Sequence, residues 1–214
     1  MTDNFAKIRG YMADAGLPYE KDKIGDKFFD IQLIRRGKDH KDLAAANYVF
    51  KAYYIDAIEL YDRYAEEMRR CCDMFGLRAY VSVNAKSKKE AHNKTLLKYA
   101  ETLTMGEYRK PWKMFASVCG TLSGYDESRW IVDIDSDDLN ASQFAEYLNF
   151  VENAINKCEC RYERRIIDRI PTRSGCHLVT HPFNIKKFSF IMNDCKYAMP
   201  EIKKNHITLL YENL

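Results

Sequence analysis

The chain has little of what announces a special architecture. Of its 214 residues only 5 are proline and 9 glycine, and no Pro/Ser-rich tract interrupts them, so neither a flexible linker nor a low-complexity segment is expected. No internal repeat appears. No apolar run approaches the roughly 18 residues of a membrane span. The opening stretch MTDNFAKIRGYMADAGLP is charged and lacks the apolar centre of a secretory signal. Net charge is scarce too: 34 Lys and Arg against 31 Asp and Glu leave +3, so affinity for a polyanion must come from local clustering. The 7 cysteines are odd in number, and neither the adjacent Cys71 and Cys72 nor the close Cys158 and Cys160 have CxxC spacing. Reduced thiols are expected, not a disulfide framework or a zinc site. These absences leave a soluble intracellular protein, one domain over 1–214.

With 46% hydrophobic and 30% charged residues, the chain can bury a full core. Phe28 to Ile34 (FFDIQLI) predicts a strand running into the basic turn RRGKDHKD. From Leu43 to Phe75 apolar and aromatic residues recur at helical spacing up to Gly76, predicting one long helix or two with a bend. Arg78 to Asn84 predicts a second strand, and Ser87 with Glu90 a capping box on the helix that follows. A helix is expected at about Tyr108 to Cys119. The motif-bearing half, 121–214, then reads as a strand at Arg129 to Asp135, a helix at Ala141 to Lys157, strands at Arg164 to Ile170 and Cys176 to Thr180, a short helix at Ile185 to Cys195, and a last strand at Ile207 to Tyr211. Strands interleaved with helices predict an α/β or α+β class with a mixed sheet flanked by helices.

The chemistry concentrates in two stretches, RWIVDIDSDD at Arg129 to Asp138 and IPTRSGCHLVTHPFN at Ile170 to Asn184. On a strand, Asp133 and Asp135 point to one face. Two such carboxylates repel unless a cation lies between them, which suggests a divalent metal. An Asp at a strand end often only caps the next helix, but Asp137 and Asp138 are available for that, leaving the earlier pair unexplained. A lone histidine near a strand is commonly structural. His177, however, follows Thr172, Arg173, Ser174 and Gly175, which offer hydroxyls, a guanidinium and exposed backbone suited to phosphate oxygens. Arg35, Arg36, Lys38, His40 and Lys41 form either a solvated loop or a contact to a phosphate backbone, with Lys86, Lys88 and Lys89 as an alternative groove.

A strand bearing DID, a helix, and a strand unit carrying SGCH together resemble the archaeo-eukaryotic primase superfamily, with its hhhDhDhh strand, its sxH motif and a third acidic residue. PTRSGCHLVTHPFN also looks like small phage and bacterial proteins of primase-polymerase type. The likeness covers mainly Trp130 to Tyr211, with weaker support from Gln32 to Asp39 and from YVSVNAKS at Tyr80 to Ser87; residues 1–120 carry less of it. It implies a primase-like fold and a DNA-replication nucleotidyltransferase that uses nucleoside triphosphates, NTP or dNTP, on a single-stranded DNA or RNA template. It also implies two divalent cations, Mg2+ or Mn2+, held by Asp133 and Asp135, with Arg173, Ser174, Gly175 and His177 at the triphosphate. Glu201 is the leading candidate for the third acid, ahead of Asp194 and Asp168. The implied setting is the cytoplasm of a bacterial or phage-infected cell, with a separate helicase or replication protein as a possible partner and no membrane. Two alternatives stand beside this reading: a metal-dependent phosphoesterase or nuclease using the same DxD, and a nucleotide- or nucleic-acid-binding module of the same fold without turnover. A two-histidine phosphoesterase suggested by His206 to Thr208 is rejected, since His177 is followed by Leu and Val.

Overall fold

The alternation in KFFDIQLIR builds β2 (Lys27–Arg35), whose Phe29, Ile31 and Leu33 point into the core while Phe28, Asp30 and Gln32 take the other face. In the computed structural model, which describes residues 1–23, 25–39, 47–108, 110–122, 124, 128–136 and 139–213, β2 pairs antiparallel with β3 (Tyr48–Ile55), β4 (Arg78–Ser82) and β5 (Lys86–Ser87). With β1 (Thr2–Asp3) and β10 (Ile207–Glu212) they form a first sheet in the order β1-β10-β4-β2-β3. Helices α1 (Phe5–Asp14) and α2 (Ile58–Phe75) cover its inner face, and Gly76, at φ +59°, stops α2. A hairpin of α3 (Lys88–Thr104) and α4 (Pro111–Thr121) covers part of the outer face, around Phe28.

The long helix expected from Leu43 is corrected here: YVFKAYYI is strand β3, and the helix begins only at Ile58. Aromatic and β-branched side chains at nearly every position mimic helical spacing, while cross-strand pairing with β2 decides the outcome. Ser87 accepts from the Glu90 amide as expected, but the Glu90 carboxylate pairs with Lys94.

The second sheet is assembled from β6 (Trp130–Asp135), β7 (Ile166–Thr172), β8 (Gly175–Thr180) and β9 (Glu201–Lys204), in the order β7-β8-β6-β9 with antiparallel neighbours throughout. Helix α5 (Ala141–Asn156) connects β6 to β7 and α6 (Ile185–Met192) connects β8 to β9. Each helix thus joins two parallel strands with one antiparallel strand slotted between them. This is a β-α-β-β-α-β unit of split β-α-β, ferredoxin-like type. It replaces the mixed sheet expected from the strand-helix alternation, because the slotted strand separates the parallel pairs. The α5 cap is Asn140, reciprocated by Gln143; Asp137 and Asp138 lie outside the described residues. One face, carrying Val132, Ile134, Cys176 and Leu178, packs on α5 and α6, leaving Ile131, Asp133, Asp135 and His177 on the other.

The molecule is therefore mixed α/β, with six α-helices and two antiparallel sheets among its described residues. One core cluster takes in Ile131, Ile170 and Val179 from the second sheet together with the interior of the first, so the two sheets make a single unit. Two buried amides bridge them. The Asn4 side chain donates to the Pro171 carbonyl at 2.9 Å and the Leu209 carbonyl at 3.0 Å. Asn84 donates to the Arg129 carbonyl at 3.0 Å and accepts from the Arg129 amide at 2.7 Å. The chain also crosses directly from β9 in one sheet to β10 in the other through Asn205, at φ +50°. All seven cysteines are free thiols, and burial pushes Cys72 up to about 12, which keeps it unreactive. No described helix is long and apolar enough to cross a membrane.

Replacing Asn84 by Ala strips partners from both backbone groups of Arg129. Urea unfolding should show a loss of about 1–2 kcal/mol, since an unsatisfied group costs roughly 1–3 kcal/mol when fully buried and less where, as at Arg129, it is half-buried. A change within error would show that water takes over the amide's role.

Candidate active site

Antiparallel register gathers residues that are far apart in sequence. Asp133 on β6 lies directly opposite His177 on β8 and, on its other flank, opposite Glu201 on β9. Directly opposed residues share a face, so these three side chains form one row across three adjacent strands. Asp135 sits on the same face, opposite Gly175. A Cβ at Gly175 would lie 2.0 Å from the Ile134 carbonyl oxygen, so the glycine of SGCH is required by the close approach of β8 to β6. The turn Arg173–Ser174 precedes it, and Ser136 fixes that turn by donating from its amide (2.6 Å) and hydroxyl (2.7 Å) to the Ser174 carbonyl.

The row lines a cleft of about 400 Å³ between the two sheets. Asp133, Asp135, His177, Glu201, Lys203 and the Thr172–Ser174 turn face Ile34, Arg78 and Tyr80 of the first sheet and Arg36 just beyond β2. Of the three candidates for a third acid, Glu201 reaches the cleft. Asp168 sits beside Lys7 in a separate pocket, and Asp194 lies exposed beyond α6. The Arg36 guanidinium donates to the Tyr80 hydroxyl at 3.0 Å, turned toward the cleft, whereas Arg35 is exposed at the end of β2. The Lys38 side chain, His40 and Lys41 lie outside the described residues. Asp39 is structural: Arg78 grips it with two hydrogen bonds of 2.8 and 2.6 Å and also pairs with Glu212 at 2.9 Å, pinning the chain at Asp39 to β4 and β10. The alternative basic groove is dismantled by its partners. Lys86 is buried against Asp30 and Lys88 pairs with Asp56 at 2.6 Å, which leaves Lys89 exposed.

The electrostatics differ from the mutual repulsion expected of two acids. Asp133 is compensated on both oxygens, by His177 Nε2 at 3.1 Å and by Lys203 Nζ at 2.6 Å. Burial alone would raise its pKa, but the hydrogen bonds and charges of His177 and Lys203 outweigh that and hold the carboxyl well below the usual range. Burial likewise opposes the Lys203 ammonium, yet Asp133 and Glu201, the latter at 3.1 Å, raise its pKa. His177 is oriented through its second nitrogen, which lies 2.9 Å from the Thr208 hydroxyl. Lys203 and Thr208 escape a reading of the motifs, because β9 is a short, lysine-rich edge strand without apolar alternation and Thr208 belongs to the other sheet.

Among the described residues no three His, Cys, Asp or Glu side chains converge closely enough to hold a cation as they stand. The donor chemistry nonetheless suits one. Asp133, Asp135 and Glu201 offer hard oxygens of the kind Mg2+ and Mn2+ prefer, and the Lys203 ammonium between Asp133 and Glu201 marks where positive charge is stabilised. Family models, curated proteins and solved structures yield no match to this chain.

Because the folded pKa of Asp133 is depressed, its contribution to stability is present above the unfolded carboxyl value of about 3.9. It is withdrawn as pH falls through the lower folded value. Asp133→Asn should therefore be less stable than wild type at pH 7, with the gap narrowing progressively as pH falls below about 4. Urea midpoints across pH 2–7 check this; parallel curves would show that the pairing contributes nothing.

Proposed function

We propose that the chain is a metal-dependent nucleotidyltransferase of primase or primase-polymerase type, adding nucleotides from NTP or dNTP to a nucleic-acid 3′ end or starting a primer, with the cleft as its active site. One observation carries the reading. Asp133, His177 and Glu201, scattered over 69 residues, align in one row beside Asp135 and the Thr172–Ser174 turn. The primase-like fold is proposed on the same ground, supported by a split β-α-β sheet whose helices cover one face and free the other for the site.

Asp133, Asp135 and Glu201 are the residues that would hold divalent cations. When bound, such a pair lowers the pKa of an attacking hydroxyl and neutralises charge on the phosphates. The protein's own groups then have distinct tasks. Arg173, with the Ser174 hydroxyl and the backbone around Gly175, binds and orients phosphate oxygens at the rim. His177, fixed by Thr208, donates a hydrogen bond from Nε2 and keeps its direction constant. Arg36, held by Tyr80, closes the opposite wall with a cation facing the same space, which assigns it to the nucleotide more readily than to the template. Arg35 remains the outward member of the basic turn, available to a template backbone.

Lys203 also favours a second reading, a binding module of the same fold without turnover, because its ammonium occupies the position between Asp133 and Glu201. Primer extension on a single-stranded template with Mg2+ or Mn2+ separates the two. Incorporation by wild type and its loss in Asp135→Asn is the expected result, whereas nucleotide binding without incorporation in wild type would sink the enzymatic reading.

Lys203→Ala gives an independent check. Removing the competing ammonium should tighten Mn2+ binding by about tenfold, equivalent to roughly 1.4 kcal/mol. Calorimetric titration with Mn2+ measures it, and weaker binding would mean that Lys203 supports the site instead of competing for it.

A further inference from the structure

The α3–α4 hairpin holds a disproportionate share of the charge. Residues 88–121 contain seven Lys and Arg against three Glu, a net +4, while the rest of the chain has 27 against 28, a net −1. The hairpin docks by Ala91, Val118 and Cys119 on Phe28 and leaves its other face bare. Leu96 and Leu97 are 68% and 66% exposed, and Tyr108 and Trp112 are 87% and 63% exposed, with the Lys110 ammonium 5.1 Å from the Trp112 ring centre. In EYRKPWK, residues 107–113, rings alternate with cations.

We infer that this hairpin is a docking surface for single-stranded nucleic acid, on which Tyr108 and Trp112 stack bases while Lys110, Lys113 and Lys98 accompany the phosphates. A strand of nucleotides presents alternating apolar rings and anions, and the hairpin presents the complementary alternation. The placement fits a template path. Phe28, against Phe115 of α4, and Ile34, on the cleft wall, are six residues apart on the same face of β2. Six residues of strand span about 20 Å, on the order of six stacked nucleotides at 3.4 Å each. The inference rests on the nucleotidyltransferase reading for its direction, though the surface itself is tested separately.

The chain has two tryptophans, so Trp130→Phe leaves Trp112 as the sole reporter. Titrating this variant with a thymidine 20-mer should quench the Trp112 fluorescence saturably. In the full chain, Tyr108→Ala with Trp112→Ala should weaken 20-mer binding by about 10- to 100-fold. Lys110→Gln with Lys113→Gln should make its salt dependence shallower by about 0.7 per lost contact. Binding of Mn2+ with a nucleoside triphosphate should be unchanged in both, whereas Asp135→Asn should lose that binding and keep the 20-mer, so failure at the cleft and failure at the hairpin are distinguishable. Circular dichroism confirms that the variants fold. The inference is overturned if quenching is absent or the aromatic variant binds the 20-mer like wild type. It is also overturned if sedimentation shows a dimer that Leu96→Lys with Leu97→Lys dissolves while 20-mer affinity stays intact, since the face would then serve self-association.

Discussion

The cleft depends on how two sheets are held at a fixed separation, and that task falls to side chains that donate and accept across the junction. Asn4 bonds at once to carbonyls of β7 and of the β10 strand, and Asn84 binds both backbone groups of Arg129 just before β6. Both amides are buried, where a hydrogen bond lacks competition from water and an unmade one is expensive. Apolar contact alone would let the sheets slide. The directional bonds fix which residues face each other across the gap, and so which side chains share the cleft.

Charge is arranged on the same logic. Among the acids held out of solvent, Asp30 on β2 meets Lys86, Asp39 just beyond β2 meets Arg78, and Asp133 on β6 meets Lys203 and His177. The first two are buried and hold the fold, Arg78 reaching Glu212 as well, since breaking either would strand a charge out of water. The third differs because it opens on solvent through the cleft and has a further acid on each side along the site, Asp135 and Glu201. The contact to the Lys203 ammonium, a single mobile point charge, can be remade by another cation, whereas the bidentate Arg78 clamp has no such freedom.

Much of the second sheet was legible in the sequence. WIVDID is an apolar run broken only by Asp133 and Asp135, Gly175 and His177 follow a turn signature, and the helices after them show regular periodicity, so the strands carrying Asp133 and His177 fell where expected. Glu201 emerged as a candidate acid by position. Its placement opposite Asp133 was not readable, since EIKK lacks an apolar face and its pairing is decided by β6. Tertiary pairing also overrode the pattern in β3, an edge strand whose Tyr48, Val49 and Phe50 are all exposed, so no alternation betrays it. The largest omission was the support around the Asp133–His177 pair: tertiary packing, not sequence spacing, sets Lys203 beside Asp133 and Thr208 beside His177.

One feature of the chain path ties these strands mechanically. Glu201 and Lys203 belong to one sheet and Thr208, which orients His177, belongs to the other, yet all three lie on a single ribbon interrupted only at Asn205 and His206. That ribbon ties the two sheets together along the cleft wall, where Glu201, Lys203, His206 and Ile207 line it. Any widening of the angle between the sheets must lengthen or twist it, and the strain would reach the acid at one end and the imidazole's anchor at the other together. The two halves of the site are thus geared to each other, so that the gap cannot change width without re-aiming both.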